Sequence, residues 1–168
     1  MSRRIASVVS AGVVMGTGIG IALGVIWWRL APRVPLEIRP DRVVPDGYQP
    51  DGYLGADVAF AVLALVAGVG VAVGLIRMRR DHLTSVLVAA LLAGAIGSLL
   101  MWFIGQRLGS VDIEGLSATA EAGTVVDAPL RLSMPALLLV WPITSALAIT
   151  VLAAADWWQE VRAARRER

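Results

Sequence analysis

IASVVSAGVVMGTGIGIALGVIWW, residues 5–28, is a run of 24 residues without one Asp, Glu, Lys or Arg, held between Arg4 and Arg29. An α-helix rises 1.5 Å per residue, so about 20 apolar residues cross a hydrocarbon core of about 30 Å, and this run is long enough. Three more charge-free runs follow: 19 residues between Asp57 and Arg77, 25 between Asp81 and Arg107, and 24 between Arg131 and Asp156. Backbone polar groups in lipid must bond internally, and a helix does this within one segment. The fold class read from this pattern is an all-α membrane protein: four transmembrane helices in an up-down bundle. The spans lie at about 5–28, 56–76, 82–106 and 133–156, with outer loops 29–55 and 107–132 and a cytoplasmic tail 157–168, all in a single domain covering residues 1–168.

Composition agrees. A chain of 168 residues that is 57% hydrophobic, with mean hydropathy +0.72, is too apolar for a soluble domain of its size. Cys is absent, which excludes disulfides, thiolate metal sites and thiol catalysis. All 15 basic residues are Arg, and with the weight of Ala, Val, Gly and Leu this usage points to a high-GC bacterium. The pI near 9.9 does not point to nucleic acid, because the Arg residues cluster at span ends, where anionic lipid headgroups are the nearer partner. Met1-Ser2-Arg3-Arg4 would suit a signal peptide, yet the apolar run after it exceeds the roughly 7–15 residues of a signal core.

Cationic loops stay in the cytoplasm. With the N-terminus inside, the inner segments 1–4, 77–81 and 156–168 hold nine Arg against four acids, and the outer segments 29–57 and 107–131 hold six Arg against nine acids. Both termini are therefore expected in the cytoplasm of a bacterial plasma membrane. Trp27, Trp28, Trp102, Trp157 and Trp158 fall near the interfaces, where amphipathic rings sit, and Trp141 falls inside the fourth span.

The loops differ in character. Arg77-Met78-Arg79-Arg80-Asp81 is so short that spans two and three must be antiparallel neighbours. Loop 29–57 carries five of the eight prolines and the tandem Pro45-Asp46-Gly47-Tyr48 and Pro50-Asp51-Gly52-Tyr53, both read as turns. Val34-Pro35-Leu36-Glu37-Ile38-Arg39 alternates like a short edge strand, and Val125 to Leu132 reads similarly. The two outer loops are expected to form a small extracytoplasmic β cap, because pairing satisfies backbone groups beside lipid. Asp156 to Arg166 contains no breaker and should continue the fourth span as a helix.

Gly12, Gly16, Gly20 and Gly24 make three successive GxxxG steps on one helix face, a groove where another backbone can approach. Ala64, Gly68 and Ala72, Gly70 and Gly74, and Ala90, Gly94 and Ser98 offer matching faces on spans two and three. The ladder thus serves packing within the chain or contact with another subunit or a second copy. Pro142 removes a backbone donor inside the fourth span and is expected to kink it, with Thr144 and Ser145 satisfying the freed carbonyls. Asp57, at the outer start of span two, is read as snorkelling to water, capping its helix or pairing with Arg107 or Arg29, with a proton- or cation-relay role as the rarer reading. His82 is the only histidine, beside three Arg at the inner mouth of span three, and is read as interfacial. Asp41, Asp46 and Asp51 do not follow a calcium-loop spacing.

Missing motifs narrow the function. There is no Walker lysine, no G-x-S-x-G, no HExxH and no paired carboxylates within the spans, so no catalytic, cofactor or metal site is expected.

Several short motifs resemble a family of small four-span actinobacterial membrane proteins catalogued as a domain of unknown function. They are Leu30-Ala31-Pro32-x-Val34-Pro35, Gly55-Ala56-Asp57, Gly94-x-x-Gly97-Ser98, Gly105-x-x-Leu108-Gly109, Ala128-Pro129-Leu130-x-Leu132 and Leu138-Leu139-Val140-Trp141-Pro142. The likeness covers about residues 10 to 153. It implies an actinobacterial plasma membrane and brings no activity or catalytic residues.

The expected function is that of a non-catalytic accessory or assembly subunit of a larger respiratory or envelope complex. The alternative is a small oligomeric transporter or lipid-handling protein, with Thr17, Ser98, Gln106, Thr144, Ser145 and Thr150 lining a path. A membrane enzyme using Asp57, Arg107 or Tyr48 at the outer face is third.

Overall fold

The computed structural model describes residues 2–38, 43–45, 52–78, 83–112, 115 and 123–166. The chain is mostly helical: α1 (Ser2–Leu30), β1 (Pro35–Ile38), β2 (Val43–Pro45), α2 (Gly52–Met78), α3 (Leu83–Leu108), β3 (Val125–Asp127), a 3₁₀ turn (Pro135–Leu139) and α4 (Val140–Arg166). Four helices are long and apolar enough to cross a membrane. His82, Tyr48, Asp41, Asp46 and Asp51 lie outside the described residues, as do residues 79–82 between spans two and three.

The largest interface joins α1 to α3. All four glycines of the ladder turn into it. A Cβ added to Gly12 would lie 2.8 Å from the Ala89 carbonyl oxygen, one on Gly16 2.7 Å from the Ala93 Cα, and one on Gly20 2.6 Å from the Gly97 carbonyl oxygen. Gly24 abuts Ile104 and Met101. The two sets of numbers rise together, so α1 and α3 run parallel, and lost side chains let backbone lie on backbone.

The facing positions are not the ones the spacing suggested. The ladder meets Ala89, Ala93 and Gly97, whereas Gly94, one step round from Ala93, meets Pro142 of α4. One residue is about 100° on a helix. Hence α3 carries two small-residue faces, and it needs both, since it is packed between α1 and α4. Gly68 of α2 meets Trp141 and Thr144 of α4, and Gly74 touches only Met15. Gly70 meets nothing and faces outward.

The loops pair. β1 is the central strand of a three-stranded antiparallel sheet, ordered β2-β1-β3, with Leu36 opposite Pro45 on one side and Val126 on the other. The edge-strand reading of Val34 to Arg39 is therefore corrected: Pro35 is tolerated because it stands at the strand's first residue. β3 stops at Asp127, short of Leu132; β2, which was not read from the sequence, ends at Pro45, and Asp46 to Tyr48 of the first expected turn lie outside the described residues. Gly52 and Tyr53, read as a turn, open α2 instead. Val34, Leu36 and Ala128 form a small apolar cluster of their own, separate from the bundle core. Gly123, at φ +92°, turns the chain into β3 while its N–H donates to the Ile38 carbonyl at 2.8 Å.

Pro142 lies close to a change of helix type. α4 begins at Val140, and the proline stands in its first turn, where the 3₁₀ turn passes into α-helix. Ser145 does not serve its own helix: its hydroxyl donates to the Gly68 carbonyl of α2 at 3.0 Å.

Candidate functional site: the sealed junction around Asp57

α2 starts five residues before Asp57, so this acid sits in the second turn, on the face that continues through Phe60, Ala64 and Gly68. That face turns inward. Asp57 is 2% exposed, which corrects the snorkelling and capping readings. Its Oδ1 accepts the backbone N–H of Ser133 at 2.9 Å, tying α2 to the segment that leads into α4. Its Oδ2 is buried without a hydrogen-bond partner.

Neither expected cation reaches it. Arg107 is exposed, with its guanidinium 5.2 Å above the Phe103 ring, and Arg29 is exposed, 4.9 Å above Trp28. The structure thus separates Asp57 from Arg107. The helix register is the reason: Arg107 belongs to the outer face of α3, two residues past the buried Gly105.

Trp27 closes the junction beside Asp57. It has no exposed surface, and its indole N–H donates to the Ala56 carbonyl at 2.9 Å. The ring meets Phe60 edge-on, with centroids 5.2 Å apart at 80°, and lies against Gly105 of α3. It is a core residue rather than an interfacial one, because Gly105 leaves a slot into which the indole fits. Trp157 and Trp158 are exposed.

Deeper in, Trp141 packs on Gly97, and its indole N–H and the Ser98 hydroxyl are buried without partners. The polar residues expected along a path do not converge. Ser98 and Ser145 have no exposed surface, whereas Thr150 is exposed and bonds the Ala146 carbonyl of its own helix at 2.9 Å. Gln106 borders an open groove with Ser110, Asp112 and Arg131. Among the described residues, no three His, Cys, Asp or Glu side chains come together to hold a metal ion.

Ser133, Trp27, Gly97 and Gly105 are the participants that spacing did not single out. A signal existed for the glycines: Ala89, Ala93, Gly97 and Gly105 repeat at intervals of four and eight. Nothing local marks Ser133, which contributes only its backbone.

The junction as a whole is a clamp. Asp57→Ala removes the acceptor of the Ser133 N–H and should cost about 1–2 kcal/mol, whereas Asp57→Asn keeps a carbonyl oxygen there and should cost less. Unfolding in mixed detergent and dodecyl sulfate micelles measures both. An equal loss in the two variants would show that the charge, not the acceptor, matters. Comparison of the chain with protein-family models, with curated proteins and with solved structures finds no match in any of the three.

Proposed function

We propose that the chain is a non-catalytic four-span protein of a bacterial plasma membrane of the actinobacterial type, and that it serves as an accessory or assembly subunit of a larger respiratory or envelope complex. In this reading the four helices form an up-down bundle, both termini are cytoplasmic, the β-paired loops form a cap outside, and the inner Arg clusters rest on anionic headgroups.

One observation carries the reading: the interior is taken up by close packing. Glycines of α1 lie on the backbone of α3, and Gly94 and Gly97 lie on Pro142 and Trp141. Such a core resists the rearrangements that a translocation path would require. The polar groups that could act are sealed at Asp57, Ser98 and Ser145. What remains for function is the outer surface, where Gly18 of α1 and Gly70 of α2 leave bare backbone facing outward. GxxxG-type association of membrane helices uses such exposed small residues.

The chain contains no Cys, so a single Cys at Gly18 or Gly70 becomes a unique cross-linking site. Isolation in mild detergent after cross-linking in the native membrane should give one discrete heavier species containing another membrane protein. Recovery of the monomer alone from both variants would sink the accessory-subunit reading. The lipid-handling alternative keeps one supporting observation, an open apolar groove between α3 and α4.

A further inference from the structure

We infer that the groove between the start of α3 and the middle of α4 is a seat for one acyl chain of an anionic phospholipid, whose headgroup is held by the Arg residues of the α4 tail. The inference rests on the membrane reading above, with the α2–α3 turn on the inner side, and assigns that side a defined lipid site.

The groove measures about 480 Å³ and is lined by Leu83, Leu87, Ile149, Ala153, Ala154 and Trp157, with Thr84 and Thr150 at its sides. Its floor exists because α4 presents Ala153 and Ala154 where a larger side chain would fill the space. From Trp157 to Ile149 it follows eight residues of α4, about 12 Å along the axis. This is part of the depth of one leaflet, and its apolar lining suits methylene groups. Trp157 is 61% exposed at the shallow end, the level at which an indole ring sits between chain and headgroup.

Charge complementarity selects the occupant. Beyond Trp157 the same helix carries exposed Arg162, Arg165 and Arg166, with Arg162 stacked 5.3 Å above the Trp158 ring. Exposed Arg77 ends α2 on the same side, and Arg79 and Arg80 follow it in sequence. Asp81, Asp156, Glu160 and Glu167 lie in sequence among these cations, and Arg remains in excess. Basic residues above a crevice between helices on the cytoplasmic side are the features that hold anionic headgroups, while a zwitterionic headgroup gains no net attraction there.

The test uses the full chain in phosphatidylcholine vesicles containing a small, equal fraction of phosphatidylglycerol or phosphatidylcholine with brominated acyl chains. Bromine quenches a neighbouring indole, and the difference between the wild type and Trp157→Phe isolates Trp157. The expected result is quenching of Trp157 at about fivefold lower mole fraction of the brominated phosphatidylglycerol, or lower still, since one Arg near the surface is worth about that factor. Ala154→Leu, which fills the groove from a lipid-exposed position, should abolish the preference. Arg162→Gln combined with Arg165→Gln and Arg166→Gln should reduce it to the phosphatidylcholine level. Equal quenching by both lipids, or a preference that survives Ala154→Leu, would overturn the site. Protection of Trp157 from both lipids would show that a second copy or another protein covers the groove, and overturns it equally. Flotation of the chain with the vesicles checks the membrane reading separately, so failure of that reading and failure of the site are told apart.

Discussion

Gly16→Ala destabilises the bundle by about 1–3 kcal/mol or more, while Gly18→Ala, two residues along the same helix, is neutral or stabilising by up to about 1 kcal/mol. The contrast follows from direction alone. A methyl at Gly16 is aimed at the Ala93 backbone of α3, which cannot swing aside as a flexible side chain can. The helices must separate, and every neighbouring contact at Gly12 and Gly20 loosens with them. Gly18 has nothing within 4 Å of the added atom, so the methyl meets only surroundings outside the bundle and the helix gains propensity. Reversible unfolding in mixed micelles, with helix content read by circular dichroism, measures the pair. Equal effects at the two positions would mean that α1 does not lie on α3 through this face.

Gly97→Ala should be a costly single change, and its cost should be smaller in a Trp141→Phe background. Gly97 is pinned from two sides: its backbone is what the ladder rests on at Gly20, and an added Cβ would stand 2.6 Å from Trp141 Cζ3. Trp141 has no exposed surface. Replacing its indole by a phenyl ring removes the atoms nearest Gly97 and also the buried N–H that has no partner. Either change alone should cost about 1–3 kcal/mol, from overpacking in one case and a cavity in the other. Together they should cost less than their sum by about 0.5–3 kcal/mol, the range of coupling between residues in contact. Additive losses in the double-mutant cycle would show that the indole does not lie on Gly97.

The number of helices, their approximate limits and the strand character of the two long loops were legible in the chain, because each depends on a local property. A charge-free run of about 20 residues is a matter of counting, and alternation of apolar residues around Leu36 is visible within six positions. The glycine ladder was equally plain as a close-approach surface. Its partner was not, since Ala89/Ala93/Gly97 and Ala90/Gly94/Ser98 are both small-residue faces of one helix and spacing cannot rank them. The same ambiguity moved Trp27 from the interface into the core: its depth was read from its place in the run, whereas its direction was set by the slot at Gly105.

Asp57 shows the division most clearly. The sequence by itself determined that an acid stands at the start of span two and that small residues line three of the spans. Only the tertiary structure decided that this acid faces inward, 76 positions in sequence from the Ser133 N–H it accepts, and that Pro142 stands where a 3₁₀ turn passes into α-helix. The physical reason is that burial in lipid constrains composition along each helix, which a sequence records residue by residue. Rotation of one helix against another is fixed instead by which small faces allow backbones to touch, a property of two segments at once.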